Sequence, residues 1–343
     1  MLAACSHEEE FVVSSDAILF GLSSQQDMET RAYHYDNTSL YLEERGGGNF
    51  TVQAFVDHTS TKYIDSRVWY IKDGNRWWFR QGNSWYDCYW PKNNKLSFFA
   101  YMPWQPSGAA VTIDNDSEYT FAGGPVFSCN LPLDITSSGI NQENLYEFIY
   151  AYTKDRRNEL VELNFVHPMS SIEIWLKQSH RDLTIHHLGF KNIYNQGSFS
   201  YAQETTEENE TQFKAGFTYE RWTPEGKPDK VFDLLVEKNV PEHLNFDSKV
   251  GGPFIVMPQR FSRPEFSTDP ELKDYKDVKL FVSYTWDGNT YNGEVALDAA
   301  GAWQPGYKYT YYLDLGDNKE EILFRVLVEP WDVVGFKNKI DID

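Results

Sequence analysis

Tyr307-Lys308-Tyr309-Thr310-Tyr311-Tyr312-Leu313-Asp314-Leu315 decides the fold class. Tyr307, Tyr309, Tyr311, Leu313 and Leu315 share one face of an extended chain, while Lys308, Thr310 and Asp314 point the other way. That period of two is the mark of a half-buried strand. The next run repeats it, with Ile322, Phe324, Val326 and Val328 set against Arg325 and Glu329, and Gly316-Asp317-Asn318-Lys319 between them reads as a hairpin turn. Upstream, Val161, Leu163 and Phe165 alternate with Glu162 and Asn164; after Pro168, Ile172, Ile174 and Leu176 alternate with Glu173 and Trp175. Near the start, Phe50, Val52, Ala54 and Val56 line one face of a further strand. Together these runs predict an all-β protein of antiparallel sheets, one face on a core and one wet.

The chain has 343 residues, 41% hydrophobic and 16% aromatic, with 22 Tyr, 23 Phe and 11 Trp. Aromatic residues fit a pleated, half-buried surface. The length suits two β-sandwiches in tandem rather than one, since domains usually run to ~100–200 residues. One segment departs from the strand pattern. Leu145, Phe148, Ile149 and Tyr152 recur at i, i+3, i+4 and i+7 behind Asn141 as an N-cap, which predicts a short helix. The polar stretch Thr153–Asn158 follows, and the boundary is placed there: a tether over 1–15, an N-terminal β-sandwich over 16–157 and a C-terminal β-sandwich over 158–343. The acidic run Glu204–Glu210 and the segment Ser267–Asp277 read as solvated loops of the second unit.

Formal net charge is −20. Such a field repels phosphate backbones and argues against a general nucleic-acid binder. No run of about 18 apolar residues occurs, so no membrane-spanning helix is expected. Leu2-Ala3-Ala4-Cys5, followed by Ser6, resembles a bacterial lipobox, with Cys5 as the lipidated residue and His7-Glu8-Glu9-Glu10 as the start of a solvated tether; a chance run of small residues is the alternative. Only Met1–Ala4 precede Cys5, so the basic and apolar parts of an export signal would lie upstream. Cys88 and Cys129 form either a disulfide in an oxidising compartment or two buried thiols. Three cysteines without Cys-x-x-Cys spacing argue against structural zinc.

Catalytic constellations are missing from the sequence. Arg45-Gly46-Gly47-Gly48 lacks the strand-to-helix setting of a phosphate cradle and reads as a flexible loop. His186 and His187 are adjacent, so on a strand they face opposite sides and do not share a metal. His167 reads as a structural histidine at a strand end. The 51 acidic residues make chance carboxylate pairs unavoidable, so a glycosidase reading has nothing specific behind it. No cofactor, metal or catalytic residue is expected. Trp69, Trp77, Trp78, Trp85 and Trp90 crowd one stretch. Their rings either fill a core or stack on sugars, with Trp77, Trp78 and Trp85 as the stacking candidates.

Several segments, in order, resemble the fimbrillin-like family, the lipid-anchored pilin precursors of Bacteroides-type Gram-negative anaerobes. They are Ile18-Leu19-Phe20, Thr30-Arg31-Ala32 and the strand Phe50–Val56; Tyr89-Trp90-Pro91 with Leu96–Pro103; Leu163–Ser170; and Val256-Met257-Pro258-Gln259. The most specific is Trp303-Gln304-Pro305-Gly306-Tyr307-Lys308-Tyr309-Thr310-Tyr311, completed by Ile322–Val328 and Pro330-Trp331. The resemblance implies two transthyretin-like β-sandwich domains, export as an outer-membrane lipoprotein and a place in surface fimbriae, with adhesion as the role. It also implies assembly by strand exchange: a protease cuts after an arginine, the first strand leaves, and a strand of another subunit fills the groove. Arg31, after the candidate first strand, is the first choice for processing, and Arg45 in the glycine-rich loop the second; an ordinary surface arginine is the alternative for Arg31. Beyond Trp331 the tail offers few strand-like residues (Val333, Val334, Phe336, Ile340, Ile342), which leaves shaft, anchor and tip roles open. The competing reading is a lipid-anchored surface protein that binds a glycan or a host protein and does not polymerise.

Overall fold

The computed structural model describes residues 16–24, 49–56, 59, 61–71, 76–102, 111–114, 126–130, 149–178, 183–200, 222–226, 230–240, 243–262, 276–297, 301–315 and 323–330. Among them every regular element is a strand. The first half runs β1 (Phe20–Ser24), β2 (Asn49–Val56), β3 (Lys62–Ile71), β4 (Arg76–Gln81), β5 (Ser84–Tyr86), β6 (Leu96–Met102), β7 (Val111–Asp114), β8 (Val126–Asn130), β9 (Ile149–Arg156) and β10 (Val161–Phe165). Six of these form one antiparallel sheet in the order β5-β4-β3-β2-β6-β9. Its inner face carries Phe50, Val52 and Ala54 of β2, Val68 of β3, Trp77 and Phe79 of β4, Leu96, Phe98 and Ala100 of β6, and Ile149 and Ala151 of β9. That face closes on the two-stranded sheet β1-β10, whose Phe20, Val161, Leu163 and Phe165 complete the cluster.

The second half runs β11 (Ser170–Gln178), β12 (Leu183–Ile193), β13 (Gln196–Ser200), β14 (Trp222–Glu225), β15 (Lys230–Val240), β16 (His243–Val256), β17 (Gln259–Arg260), β18 (Lys279–Trp286), β19 (Asn289–Ala296), β20 (Ala302–Trp303), β21 (Tyr307–Leu315) and β22 (Leu323–Pro330). Two four-stranded sheets, β16-β11-β21-β22 and β15-β12-β18-β19, face each other. Ile172, Ile174 and Leu176 meet Ile185, Leu188 and Phe190 in a second core. At its centre Phe190 lies edge-on to Trp303 (5.0 Å) and Tyr311 (5.4 Å), and Trp303 Nε1 donates to Tyr311 Oη at 3.0 Å. Complete burial pushes the Tyr311 phenol well above its usual range, so it stays protonated.

The decisive stretch is β21. Tyr309, Tyr311 and Leu313 are buried, as the alternation predicts. On the opposite face of the same sheet Glu173 accepts from Lys249 of β16 (2.9 Å) and Lys308 of β21 (3.0 Å). Burial alone would raise its carboxyl, but the two ammonium groups hold it below the usual carboxylate range. At the far edge β22 pairs, among the described residues, with β21 alone, and Val326, Leu327 and Val328 are 41%, 43% and 45% exposed.

Three expectations are corrected. Strand pairing is not wholly antiparallel: β1 runs parallel to β10, and β11 parallel to β21. Parallel neighbours need a long connection, and each of these pairs is separated by more than a hundred residues. The predicted helix is absent from the described part of its span, because Ile149 and Tyr152 belong to β9, hydrogen-bonded to β6; Asn141, Leu145 and Phe148 lie outside the described residues. The polar stretch after it is the end of β9 and its turn into β10, where Asp155 and Asn158 take φ of 60° and 51°. The expected division at 157 therefore falls one strand before the change of core, which lies between Phe165 and Ile172. A further sheet, β14-β13-β8-β7, draws strands from both halves. Tyr150 packs on Phe199 at 4.7 Å, and Trp222 Nε1 donates to the Pro168 carbonyl at 2.6 Å.

Two hairpins have two-residue turns that their sequences specify. Asp287-Gly288 joins Trp286 to Asn289 with φ of 49° and 74°. Positive φ at both positions matches the twist of the flanking strands. Replacing Gly288 by Ala meets no atom within 4 Å, so the cost is backbone strain alone, about 1–2 kcal/mol. Urea unfolding of Gly288→Ala checks this, and an unchanged midpoint would refute it.

Candidate functional site

The segment Asp16–Ser24 lies between two partners from distant parts of the chain. On one side the Ile18 N–H donates to the Cys88 carbonyl (2.7 Å), the Trp90 N–H donates to Asp16 (3.0 Å), and Ala17 bridges Tyr89. On the other side the Val161 N–H donates to Leu19 (2.9 Å), and the register continues from Phe20↔Val161 to Ser24↔Phe165. Below it Phe20, 1% exposed, meets the rings of Phe79 (5.5 Å), Phe50 (5.6 Å) and Phe98 (6.0 Å). Ile18 is buried beside it, and Leu160 packs where a Cβ on Gly21 would stand. Taking this segment away would leave the edge of β10 and the Cys88–Trp90 backbone unpaired above an aromatic floor, which is the chemistry that accepts an incoming strand.

Arg31 and Arg45 lie in 25–48, the connection between β1 and β2, outside the described residues, as does Cys5. Cys88 is half-buried where the chain meets Ile18, and among the described residues it enters no disulfide. Cys129 sits in β8, its side chain outside the described residues. His186 and His187 face opposite sides of β12 as expected: one shares a hydrogen bond with Thr285 Oγ1 (2.6 Å), the other with Asp233 Oδ2 (2.7 Å). His167 is buried. Among the described residues no three His, Cys, Asp or Glu side chains are placed to share a metal ion, and no helix is long and apolar enough to cross a membrane.

The tryptophans divide by strand face. Trp77 points inward, between Phe50 (5.1 Å) and Tyr70 (5.3 Å), and Trp90 packs on Phe98 (5.7 Å). Trp78 points outward yet is only 8% exposed. Of the three stacking candidates, Trp77 and Trp78 are each 8% exposed and Trp85 is 37% exposed.

Around Trp85 the outer face carries two residues that the sequence reading did not single out. Gly82-Asn83 is a two-residue turn with φ of 58° at Gly82, and it sets Trp85 directly opposite Arg80, which in turn stands opposite Arg67. The Arg80 guanidinium lies 5.0 Å from the Trp85 ring and 5.1 Å from Trp69, and its Nε donates to the Gly82 carbonyl at 3.0 Å. Pairing of β3 with β4 covers only Arg67–Ile71, so the preceding stretch of β3 borders an open cleft of about 800 Å³. Tyr63 and Tyr86 wall that cleft, anchored to the Tyr89 carbonyl (2.8 Å) and Ser66 Oγ (2.6 Å). The Gly-Asn turn between two aromatic runs was the available signal for this arrangement.

With this geometry in view, comparison places the chain among known proteins. The fimbrillin-like family model matches residues 13–331. The fold is similar to the crystal structure of a fimbrial protein from Bacteroides vulgatus ATCC 8482, at 15% identity and a TM-score of 0.58, covering 92% of this chain and 99% of that one. Structures of candidate cell adhesion proteins from Bacteroides ovatus ATCC 8483 (14% identity, 92% and 96% covered, TM-score 0.48) and Bacteroides uniformis ATCC 8492 (12%, 93% and 100%, 0.49) are more loosely similar. At such identities the likeness speaks for the fold alone. No curated protein sequence matches.

Proposed function

The chain belongs to the fimbrillin-like family, and on that premise we propose that it is a non-enzymatic subunit of surface fimbriae, structural or accessory, that assembles by strand exchange. The observation that supports this reading most is the seat of β1. It is a separable strand, held between β10 and Cys88–Trp90, and it plugs the first core with Phe20. Both candidate processing residues, Arg31 and Arg45, fall after Ser24 and before Asn49, so a cut at either severs β1 from the rest of its core. Lipidation at Cys5 would hold the precursor at the outer membrane through the 6–15 tether. The two cores fit the two transthyretin-like sandwiches of the family, and the exposed apolar edge of β22 offers a further place for a strand of another subunit.

Cleavage by an arginine-specific protease, followed by sizing, tests the proposal. The expected result is loss of the N-terminal segment and appearance of oligomers that resist detergent, blocked by Arg31→Ala with Arg45→Ala and by an excess of a synthetic peptide spanning 16–24. A trimmed chain that has shed the segment and stays monomeric, alone and with partner pilins, would overturn it.

A second reading, a surface protein that binds a glycan without polymerising, draws on one observation: the exposed Trp85 beside two arginines on the outer face of β3–β5.

A further inference from the structure

The edge strands of open sheets are usually blunted by charge, proline or burial, because a bare edge pairs with other chains. β19 follows that rule: Tyr291 and Val295 are half-buried, and its exposed positions hold Asn289, Thr290, Asn292, Glu294 and Ala296. β22, an edge of the facing sheet, does not. Every residue from Arg325 to Pro330 is exposed, and three apolar ones, Val326, Leu327 and Val328, are consecutive. Both faces of the strand are open. Val326 and Val328 lie opposite Tyr311 and Tyr309, on the side of the core, and Leu327 lies opposite Thr310 on the outer side. Arg325 and Glu329 bracket the apolar run, on the same face as Leu327. The Arg325 guanidinium is 4.7 Å from the Tyr312 ring centroid, which keeps it laid over the sheet.

This order of residues is complementary to itself. Turned about a two-fold axis through Leu327, a second β22 runs antiparallel to the first. Leu327 then faces its own copy, Val326 faces Val328, and Arg325 faces Glu329, the last two pairs each made twice. Opposite charges directly across a strand pair stabilise it, and like charges destabilise it. A slip of one residue either way sets a charge against an apolar side chain, and a parallel, in-register pairing sets Arg325 against Arg325. Pro330 falls at the end of the paired run, opposite Phe324, where an edge strand tolerates it.

We propose that β22 is a homodimer interface, in which two copies of this chain join antiparallel along the strand and their sheets β16-β11-β21-β22 become one continuous sheet across the axis. The edge of β22 thereby gains a definite occupant, a second β22. The pairing needs neither cleavage nor the seat of β1, and its test runs on the full, uncleaved chain, so its failure leaves the strand-exchange reading untouched.

Sedimentation equilibrium over a concentration series is expected to show a monomer–dimer equilibrium. Arg325→Glu and Glu329→Arg each put like charges across the axis twice and should weaken the dimer by about tenfold or more. Mixed in equal amounts, the two variants restore opposite charges at both places, and their heterodimer should form as tightly as the parent dimer. Leu327→Cys locates the axis: mild oxidation should link it into dimers beyond any the parent forms through its own cysteines, whereas Arg325→Cys, displaced from the axis, should not. All three positions are exposed, and melting curves establish that the variants fold. A parent chain that stays monomeric at every concentration, a dimer indifferent to both charge reversals, a mixture that associates no better than either variant alone, or equal cross-linking of the two cysteine variants would each overturn the proposal.

Discussion

Phe20→Ala is expected to lower the unfolding free energy by about 3–5 kcal/mol, the range for emptying a phenylalanine site in a packed core. The ring is 1% exposed and is gripped edge-on by Phe50, Phe79 and Phe98. These three belong to the six-stranded sheet, so the void left behind is walled by side chains that β-pairing fixes in place. Urea unfolding of the uncleaved chain measures the loss. A second readout belongs to β1 alone. With its anchor gone, amide exchange along Phe20–Ser24 should accelerate more than along β2, because the segment keeps its hydrogen bonds to β10 but loses the burial that shields them. A loss under about 1 kcal/mol would mean that Phe20 is not seated as described, and the strand-exchange proposal would lose its main support.

Gly189→Ala is expected to be the most damaging single change in the second core. A Cβ at this position would stand 1.9 Å from the Phe232 carbonyl oxygen and 3.1 Å from Cε1 of Phe281. The first contact is backbone, in the neighbouring strand β15, and cannot be relieved by a rotamer. β12 is hemmed in on both sides, by β15 and β18, so it has no free edge towards which to move. The β12–β15 register already slips between Leu188 and Gly189, which is where the two chains come close. Forcing them apart breaks ladder hydrogen bonds on top of the steric cost, and a loss of about 4 kcal/mol or more follows, at the extreme end for point substitutions. Thermal unfolding tests it, and a melting temperature near that of the parent would show that the sheet can yield where its geometry says it cannot.

Strand existence was legible wherever one face of a strand is wet. β10 reads buried, exposed, buried, exposed, buried from Val161 to Phe165, as its letters imply. The misreading at β9 has a specific cause. Ile149 and Ala151 face the core, while on the other face Tyr150 packs edge-on against Phe199 and Tyr152 stacks on Phe99. A strand with apolar neighbours on both faces loses its alternation, and its continuous apolar run then satisfies a helical template equally well. Partner choice was not legible either, since nothing in Phe20–Ser24 names β10, or in Ser170–Gln178 names β21. The tryptophans were open at the sequence level because side depends on register: one position separates Trp77, packed against Phe50, from Trp78 on the opposite face. The Arg67–Arg80 pair was hidden for the same reason, thirteen residues apart in sequence and brought together only by the β3–β4 ladder.

The parallel pairing of β1 with β10 also sets an order in time. Phe20 is opposite Val161, and until β10 is in place β1 has no strand to lie beside. Contacts of such long sequence separation close slowly, so the first strand of this core is among the last to be paired. The remainder of the core must therefore be able to gather around an empty seat, and the chain meets that state each time it folds.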